Sequence, residues 1–492
     1  MKGMTTMKRI AIVLALVGLP TAAFAGGFEF PDNGTEALGR GATFTAKADS
    51  PLAIEYNIAG LAKQRGTKLL FDSNLVFQDF TFQRAGGYPI ESGPSGMLSY
   101  SGQAFPKVSN QAGPFYAPFL GLTTDFNKFD RWTFAFGVYG PSAFGNKVWG
   151  ATVKLPSGDA PAPQRYDVVQ ANLLTFFPTF AAAVRATKWL DIGLALHLVV
   201  GIFDLQNMSI TDLGSTLCPN LESANCDSST HLKTTGFSAT GGLGLMFHPH
   251  RTFDIGVNAR LPIVLNTSGT VDATPPPAAM IPIPQDKAQF NTRLPPVVRV
   301  GLRYKFLGMD DFEHGDIEVD GTWEGWSWAE GDGDKIQIDQ LGPFSDIHPT
   351  LTHHYMDTYS VRLGGAYNIR LPAGVFTLRL GGYFDSAATK YKDTRIDFDT
   401  MARYAGTAGI GYSVRGVTLN LAYAYIYEPD RTVTNGDIQS INGVANGSTM
   451  TTSGPTPVVN NGIYHAQNMI LSFGLQIAWD ELLKKRATHD WQ

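Results

Sequence analysis

The sequence is short of charge. Only 16% of its 492 residues are Asp, Glu, Lys or Arg, against about 25% in ordinary soluble domains. Cysteine is nearly missing, with Cys218 and Cys226 alone, which excludes both a disulfide-dense scaffold and a thiolate metal cluster. A long apolar run is missing too: Ile10 to Pro20 falls short of the roughly 20 residues that span a bilayer as a helix. A helical membrane protein is thereby excluded. Apolar residues are 43% of the chain, slightly below the usual 45–50% or so, so the absent charge was not replaced by extra core. Glycine (53 residues) and aromatics (12%) took its place. The aromatics exclude disorder, and a net charge of -5 offers no broad basic face to nucleic acid.

Lys8-Arg9 precede the apolar run, and Thr21-Ala22-Ala23-Phe24-Ala25 follow it. A basic start, a short apolar stretch and a small-x-small end predict a signal peptide over 1–25, cleaved after Ala25. In an exported chain the nearby pair Cys218 and Cys226, set among Ser, Asn and Thr, reads as a loop disulfide.

From Thr67 onward the chain repeats one pattern, in which large apolar residues alternate with small or polar ones for about ten residues before a turn. Val417, Leu419, Leu421, Tyr423, Tyr425 and Tyr427 interleave with Thr418, Asn420, Ala422 and Ala424. Leu190 to Val200 and Phe253 to Leu261 do the same. Fourteen segments qualify, near 67–83, 115–126, 132–140, 173–185, 189–204, 234–247, 253–265, 291–306, 314–326, 355–369, 373–385, 402–414, 416–427 and 464–479. Long and short connections alternate strictly between them. An even strand number with short turns at one end and long loops at the other is the mark of an outer-membrane β-barrel. A propeller or paired sandwich has no reason to sort its loops so.

In hydrocarbon an open sheet edge cannot survive, so the sheet must close. The apolar sets are expected to face lipid and the small and polar sets the lumen. Trp132, Tyr304, Phe306, Tyr359, Tyr367, Tyr427 and Trp479 would form the interfacial girdles. The inward set of 291–306 carries Arg299, Arg303 and Lys305, and the next strand offers Asp316, Glu318, Asp320 and Glu324. Arg362 and Arg379 lie on the polar phase of their own strands. These charges either hold the wall in shape, or one arginine meets a ligand carboxylate bidentately.

Residues 26–62 do not follow the strand pattern and are too few for an independent domain. Their economical place is inside the barrel as a plug. Gly27-Phe28, Gly39-Arg40-Gly41-Ala42, Ala48-Asp49 and Tyr56-Asn57-Ile58-Ala59-Gly60-Leu61 closely resemble the N-terminal hatch of the FadL family of outer-membrane transporters for long-chain fatty acids and hydrocarbons such as toluene. Pro178-Thr179-Phe180-Ala181, Asp357 to Gly364 and Leu421 to Tyr425 are also similar to family segments. The resemblance implies an all-β transmembrane antiparallel barrel of about fourteen strands over 63–479, a hatch over 26–62 inside the lumen and a periplasmic tail over 480–492. It further implies that ligand is caught by extracellular loops, passes to an apolar lumenal pocket and leaves sideways when the hatch moves and the third strand kinks. On this chain those gating parts are Gly26, Gly27, Phe28, Phe30, Asn57, Ile58, Ala59 and Gly60, with Gly137 in the third strand. The family's Asn-Pro-Ala appears here as Asn57-Ile58-Ala59, so a proline-fixed turn is not carried over.

Two loops carry apolar residues: Phe144 and Trp149 in 141–172, and Met280, Ile281 and Ile283 in the Pro-rich 266–290. Exposed, they would mark a cargo patch; packed on one another, they would close the barrel mouth. Candidate ligand contacts are these five residues with Arg299, Arg303, Arg362 and Arg379. No Gly-x-Ser-x-Gly elbow or Ser/His/Asp grouping suggests an enzyme. His248 and His250 do not suggest a metal site, and Glu330-Gly-Asp-Gly-Asp334 lacks the EF-hand pattern. The expectation is a monomeric channel in the outer membrane of a Gram-negative bacterium, without metal or cofactor. It would sit in lipid and lipopolysaccharide and pass hydrophobic molecules passively. The rival is an aqueous porin for small hydrophilic solutes.

Overall fold

The computed structural model describes residues 33–93, 96–140, 146–211, 220, 222–276, 284–341, 344–440 and 457–483. Fourteen antiparallel strands close into a barrel: β1 (Lys68–Arg84), β2 (Phe115–Thr124), β3 (Trp132–Tyr139), β4 (Gln170–Arg185), β5 (Leu190–Ile210), β6 (Asp227–His250), β7 (Phe253–Arg260 and Ile263–Thr274), β8 (Asp286–Leu294 and Val297–Leu307), β9 (Glu313–Glu324), β10 (Thr358–Leu371), β11 (Gly374–Asp385), β12 (Arg403–Val414), β13 (Val417–Val433) and β14 (Gly462–Ala478). Each pairs with its neighbour in sequence. β1 closes the ring against β14 over its full length, from Lys68↔Ala478 to Arg84↔Gly462.

The alternation sorts the two faces. On β13, Leu419, Leu421, Tyr423, Tyr425 and Tyr427 are exposed on the outside, while Asn420, Ala422 and Ala424 are buried within. The seven expected girdle aromatics are all exposed. An outer apolar band and a closed edge are what a bilayer demands of a sheet.

Several strands run past their expected ends. β5 and β6 continue to Ile210 and back from Asp227, and β7 and β8 continue as a hairpin where a loop was expected. The phase explains why. In the membrane part of β7 the even residues Asp254 and Asn258 face in; beyond Pro262 the odd residues Ile263, Leu265 and Val271 are buried and Val264, Asn266 and Ser268 exposed. β8 makes the same switch at Pro295-Pro296, below which Arg303 faces in and above which Phe290 and Leu294 do. Proline breaks the ladder, and a one-residue slip exchanges the two faces of a strand. Above the membrane these two strands are thus apolar inside and polar outside, the reverse of their spanning parts.

Residues 33–64 fill the periplasmic half of the lumen as α1 (Thr35–Leu38), α2 (Ala53–Tyr56) and a 3₁₀ helix (Ile58–Lys63), with most side chains buried. The abundant glycine has its use here. A Cβ at Gly364 would lie 1.8 Å from the Arg40 carbonyl oxygen, and one at Gly193 2.5 Å from the Ile58 carbonyl carbon. Only a wall without side chains there admits a second backbone so closely.

Candidate functional site

The wall holds the inner segment by its backbone. Strand alternation points Asp316, Glu318 and Asp320 of β9 into the lumen, where all three are buried. Residues 44–47 have no helix to satisfy their own N–H groups, so the carboxylates do it. Phe44 and Thr45 N–H each donate to Asp320 Oδ2 at 3.0 Å, and Ala46 and Lys47 N–H to Glu318 Oε1 at 2.7 and 3.2 Å. Arg40, fully buried, donates through Nη2 to Asp316 Oδ2 at 2.6 Å and Glu318 Oε2 at 3.2 Å. Lys63 Nζ donates to the carbonyls of Ala46 and Lys47 at 2.8 and 2.9 Å.

Asn57 stands where the segment turns. Its Nδ2 donates to the Thr45 and Leu245 carbonyls at 2.9 and 3.1 Å, and its Oδ1 accepts Ala59 N–H at 3.2 Å. With Ile58 in the place of proline, a backbone N–H becomes available, and it donates to Asn258 Oδ1 of β7 at 3.4 Å. The turn is therefore fixed by an amide cap and a wall contact. Gly60 lies so close to Ala48 that a Cβ there would sit 2.2 Å from its carbonyl oxygen. Gly137 is paired on both sides, to Gly121 of β2 and Thr179 of β4. A Cβ there would stand 3.2 Å from Ile54 of α2, and β3 ends two residues later at Tyr139. At its end the Gly140 carbonyl accepts Asn33 Nδ2 at 2.6 Å.

The four arginines expected at the ligand are engaged elsewhere. Arg299 donates to the Glu55 carbonyl at 2.9 Å and lies over Tyr56. Arg303 meets Asp316 at 2.7 Å and Glu313 at 2.5 Å. Arg362 meets Asp385 at 2.9 Å across the face of Tyr383, and Arg379 meets Asn420 at 2.9 Å and Glu36 at 3.3 Å. Opposite ladders on adjacent strands pair with each other first, because both are fixed to the wall.

The apolar space lies higher up. Leu173, Phe203, Leu265, Phe290, Tyr355 and Phe398 line a narrow, largely enclosed cavity between the wall and two inward-folded loops, and none of those four arginines reaches it. Its polar end carries Arg293, Glu330 and Asp334. The Glu330 carboxylate accepts the N–H groups of His353 and Tyr355 at 3.0 and 3.3 Å. Burial pushes Asp334 up to about 6. Arg293 stacks over Trp328, its guanidinium carbon 5.6 Å from the ring centroid, and makes no hydrogen bond or ion pair among the described residues. It lies within the expected strand 291–306, but past the proline break the odd positions of β8 leave the inward set, so phase alone does not point it to the cavity.

These two loops and the loop before β4 are clasped together. Arg395 joins Asp167 at 2.7 Å and Asp397 at 3.1 Å, and His353 Nε2 faces Asp397 at 2.9 Å. Burial opposes the charged ring of His353, yet Asp397 lifts its pKa above the ordinary value. Burial likewise opposes ionised Asp397, but Arg395 and His353 hold it at about 2. Burial pushes Asp167 up to about 6 despite Arg395.

Trp149 is buried edge-on against Phe80, with centroids 5.4 Å apart, and serves loop packing. Cys226 is buried and disulfide-bonded; Cys218, the chain's other cysteine, lies outside the described residues. So do Gly26, Gly27, Phe28, Phe30, Phe144, Met280, Ile281 and Ile283, and the signal peptide. The acidic run does not converge: Asp332 turns to Lys335 at 3.4 Å while Glu330 and Asp334 face inward. The tail starts as a short helix in which Asp480 Oδ2 accepts Thr67 N–H at 2.7 Å.

No curated protein matches the sequence. Among solved structures, a FadL homologue of Pseudomonas aeruginosa superposes with a TM-score of 0.70 at 14% identity, covering 92% of this chain and 100% of that one. The Ralstonia pickettii toluene transporter TbuX gives 0.60 at 15%, covering 92% and 100%. The Pseudomonas putida toluene transporter TodX gives 0.61 at 13%, covering 93% and 100%. These likenesses concern the fold. Residues 16–459 match the family described as outer membrane protein transport protein, OMPP1/FadL/TodX. A plugged barrel of fourteen strands matched over that length is a member of this outer-membrane transport family.

Proposed function

We propose that the chain passes hydrophobic small molecules across the outer membrane, holding them in the cavity beneath the clasped loops. The observation that carries this is the apolar lining of the upper lumen, where Leu265 and Phe290 turn inward past the proline breaks of β7 and β8 and meet Leu173 and Phe203 on the unbroken inward phase of β4 and β5. Residues 26–62 act as the hatch and must shift for cargo to leave; the short β3 and the Asn33–Gly140 contact support this reading, since they join the described plug to the strand expected to open. The solved relatives named for toluene are in keeping with an apolar cargo. Arg293 gives this cavity a cation with no acceptor of its own among the described residues, which favours a cargo with a carboxylate end over a bare hydrocarbon. Uptake of labelled oleate and of toluene by cells with and without the protein tests the reading. Sugar-driven swelling of liposomes tests the aqueous-porin rival, and rapid swelling with no oleate or toluene uptake would replace our reading by that rival.

A further inference from the structure

The periplasmic mouth carries a charge arrangement that cargo uptake does not use. Below the plug a basin of about 710 Å³ opens toward the periplasm. Six basic side chains line it: Lys63 of the plug, Arg185 and Lys188 at the β4–β5 turn, Arg251 at the β6–β7 turn, and Arg303 and Lys305 of β8. Its own carboxylates are three, Asp49, Asp254 and Glu313.

The pairing is lopsided. Asp254 alone faces Lys305 at 3.0 Å, Lys63 at 3.5 Å and Arg303 at 3.7 Å, and it also meets His248 Nδ1 at 2.6 Å. The other ring nitrogen of His248 faces Asp191 at 3.0 Å. Asp49 is drawn off to Lys47 at 2.6 Å, and Glu313 to Arg303 at 2.5 Å. Arg185 and Arg251 find Asp191 and Asp311, both at 3.0 Å, outside the lining. Lys188 is exposed on its turn and has no ion partner among the described residues. Arg303 is also answered by Asp316 at 2.7 Å, so the shortfall lies with the lysines: Lys63 and Lys305 share Asp254, Lys188 has no ion partner among the described residues, and all three face an open space large enough for a small molecule.

We propose that this basin binds a multiply charged oxyanion of the phosphate class. Donors arrive from the plug, β8 and two turns, so they surround the space from several sides. A phosphate, with more acceptor oxygens and more charge than one carboxylate, satisfies them better. Because Lys63 belongs to the plug, the bound anion also ties the plug to the wall. The phosphate is either free or carried on a lipid headgroup reaching over the rim.

Calorimetric titration of the full chain in neutral detergent, with inorganic phosphate in one arm and short-chain phosphatidylglycerol in the other, tests the proposal. Saturable binding in either arm is expected, and the arm that binds identifies the source. The variants Lys188→Gln and Lys305→Gln should each weaken it about tenfold, while Lys188→Gln leaves cargo uptake unchanged. Phosphate should also slow proteolysis of the plug in the parent protein and not in Lys305→Gln. Failure of both ligands to bind, or equal binding to a folded Lys188→Gln/Lys305→Gln double variant, would overturn it.

Discussion

The two halves of the lumen are built on opposite principles. Toward the periplasm the spanning strands turn polar and small residues inward, and the space is filled by a segment held by Asp316, Glu318, Asp320 and Arg40. Toward the outside β7 and β8, past Pro262 and Pro295-Pro296, turn apolar residues inward and, with Leu173 of β4 and Phe203 of β5, leave a cavity. The lower half is a lock with directional bonds; the upper half is a pocket with almost none. A carrier of apolar molecules needs both, since hydrogen-bonded locks specify one position whereas apolar walls accept many shapes.

The largest test removes the lock. Arg40→Ala takes from buried Glu318 its cation and leaves Asp316 to Arg303 alone, a loss of about 3–5 kcal/mol. Denaturant unfolding and rapid proteolysis near Phe44 should report it; unaltered protection would mean the lock does not hold the plug. Next, Leu265→Trp fills the upper cavity at a cost of about 1–3 kcal/mol. It should abolish cargo uptake with the plug still protected, whereas uptake at the parental rate would show that cargo avoids the cavity. Arg293→Met sharpens the comparison inside the upper half. Oleate uptake should fall on the order of tenfold while toluene uptake holds; an equal fall in both would deny the arginine a role in choosing cargo.

The smallest effect is one of pH. The pKa of His353 is raised in the folded protein, so its link to Asp397 is complete below the ordinary histidine value of about 6.5 and fades as pH rises through the raised one. Protease nicking within 386–402 should therefore increase from about pH 6 to about pH 9, and more weakly in His353→Gln. The opposite trend would show that the clasp does not depend on the imidazolium.

The spanning part was legible because lipid imposes an outward apolar face on every strand. All fourteen strands stand where the alternation places them, and Asp316, Glu318 and Asp320 point inward as their phase requires. What the charges touch was not legible. Arg303 and Arg379 pair across the wall or with the plug, and nothing in a period of two says which acceptor is nearest. The upper cavity was hidden for a different reason. Beyond the prolines the alternation persists with its faces exchanged, so Leu265, at the end of the expected strand 253–265, reads as lipid-facing and Phe290 as part of a loop until the register is known.

The central claim is that the plug must move for cargo to pass, and a cross-link tests it most directly. Thr35 Oγ1 and Ser472 Oγ lie 2.8 Å apart between α1 and β14, close enough for a disulfide in Thr35→Cys/Ser472→Cys. Uptake of labelled oleate or toluene should stop when that bond is oxidised and return when it is reduced. Equal uptake in the oxidised and reduced states, with the cross-link verified, would contradict the account.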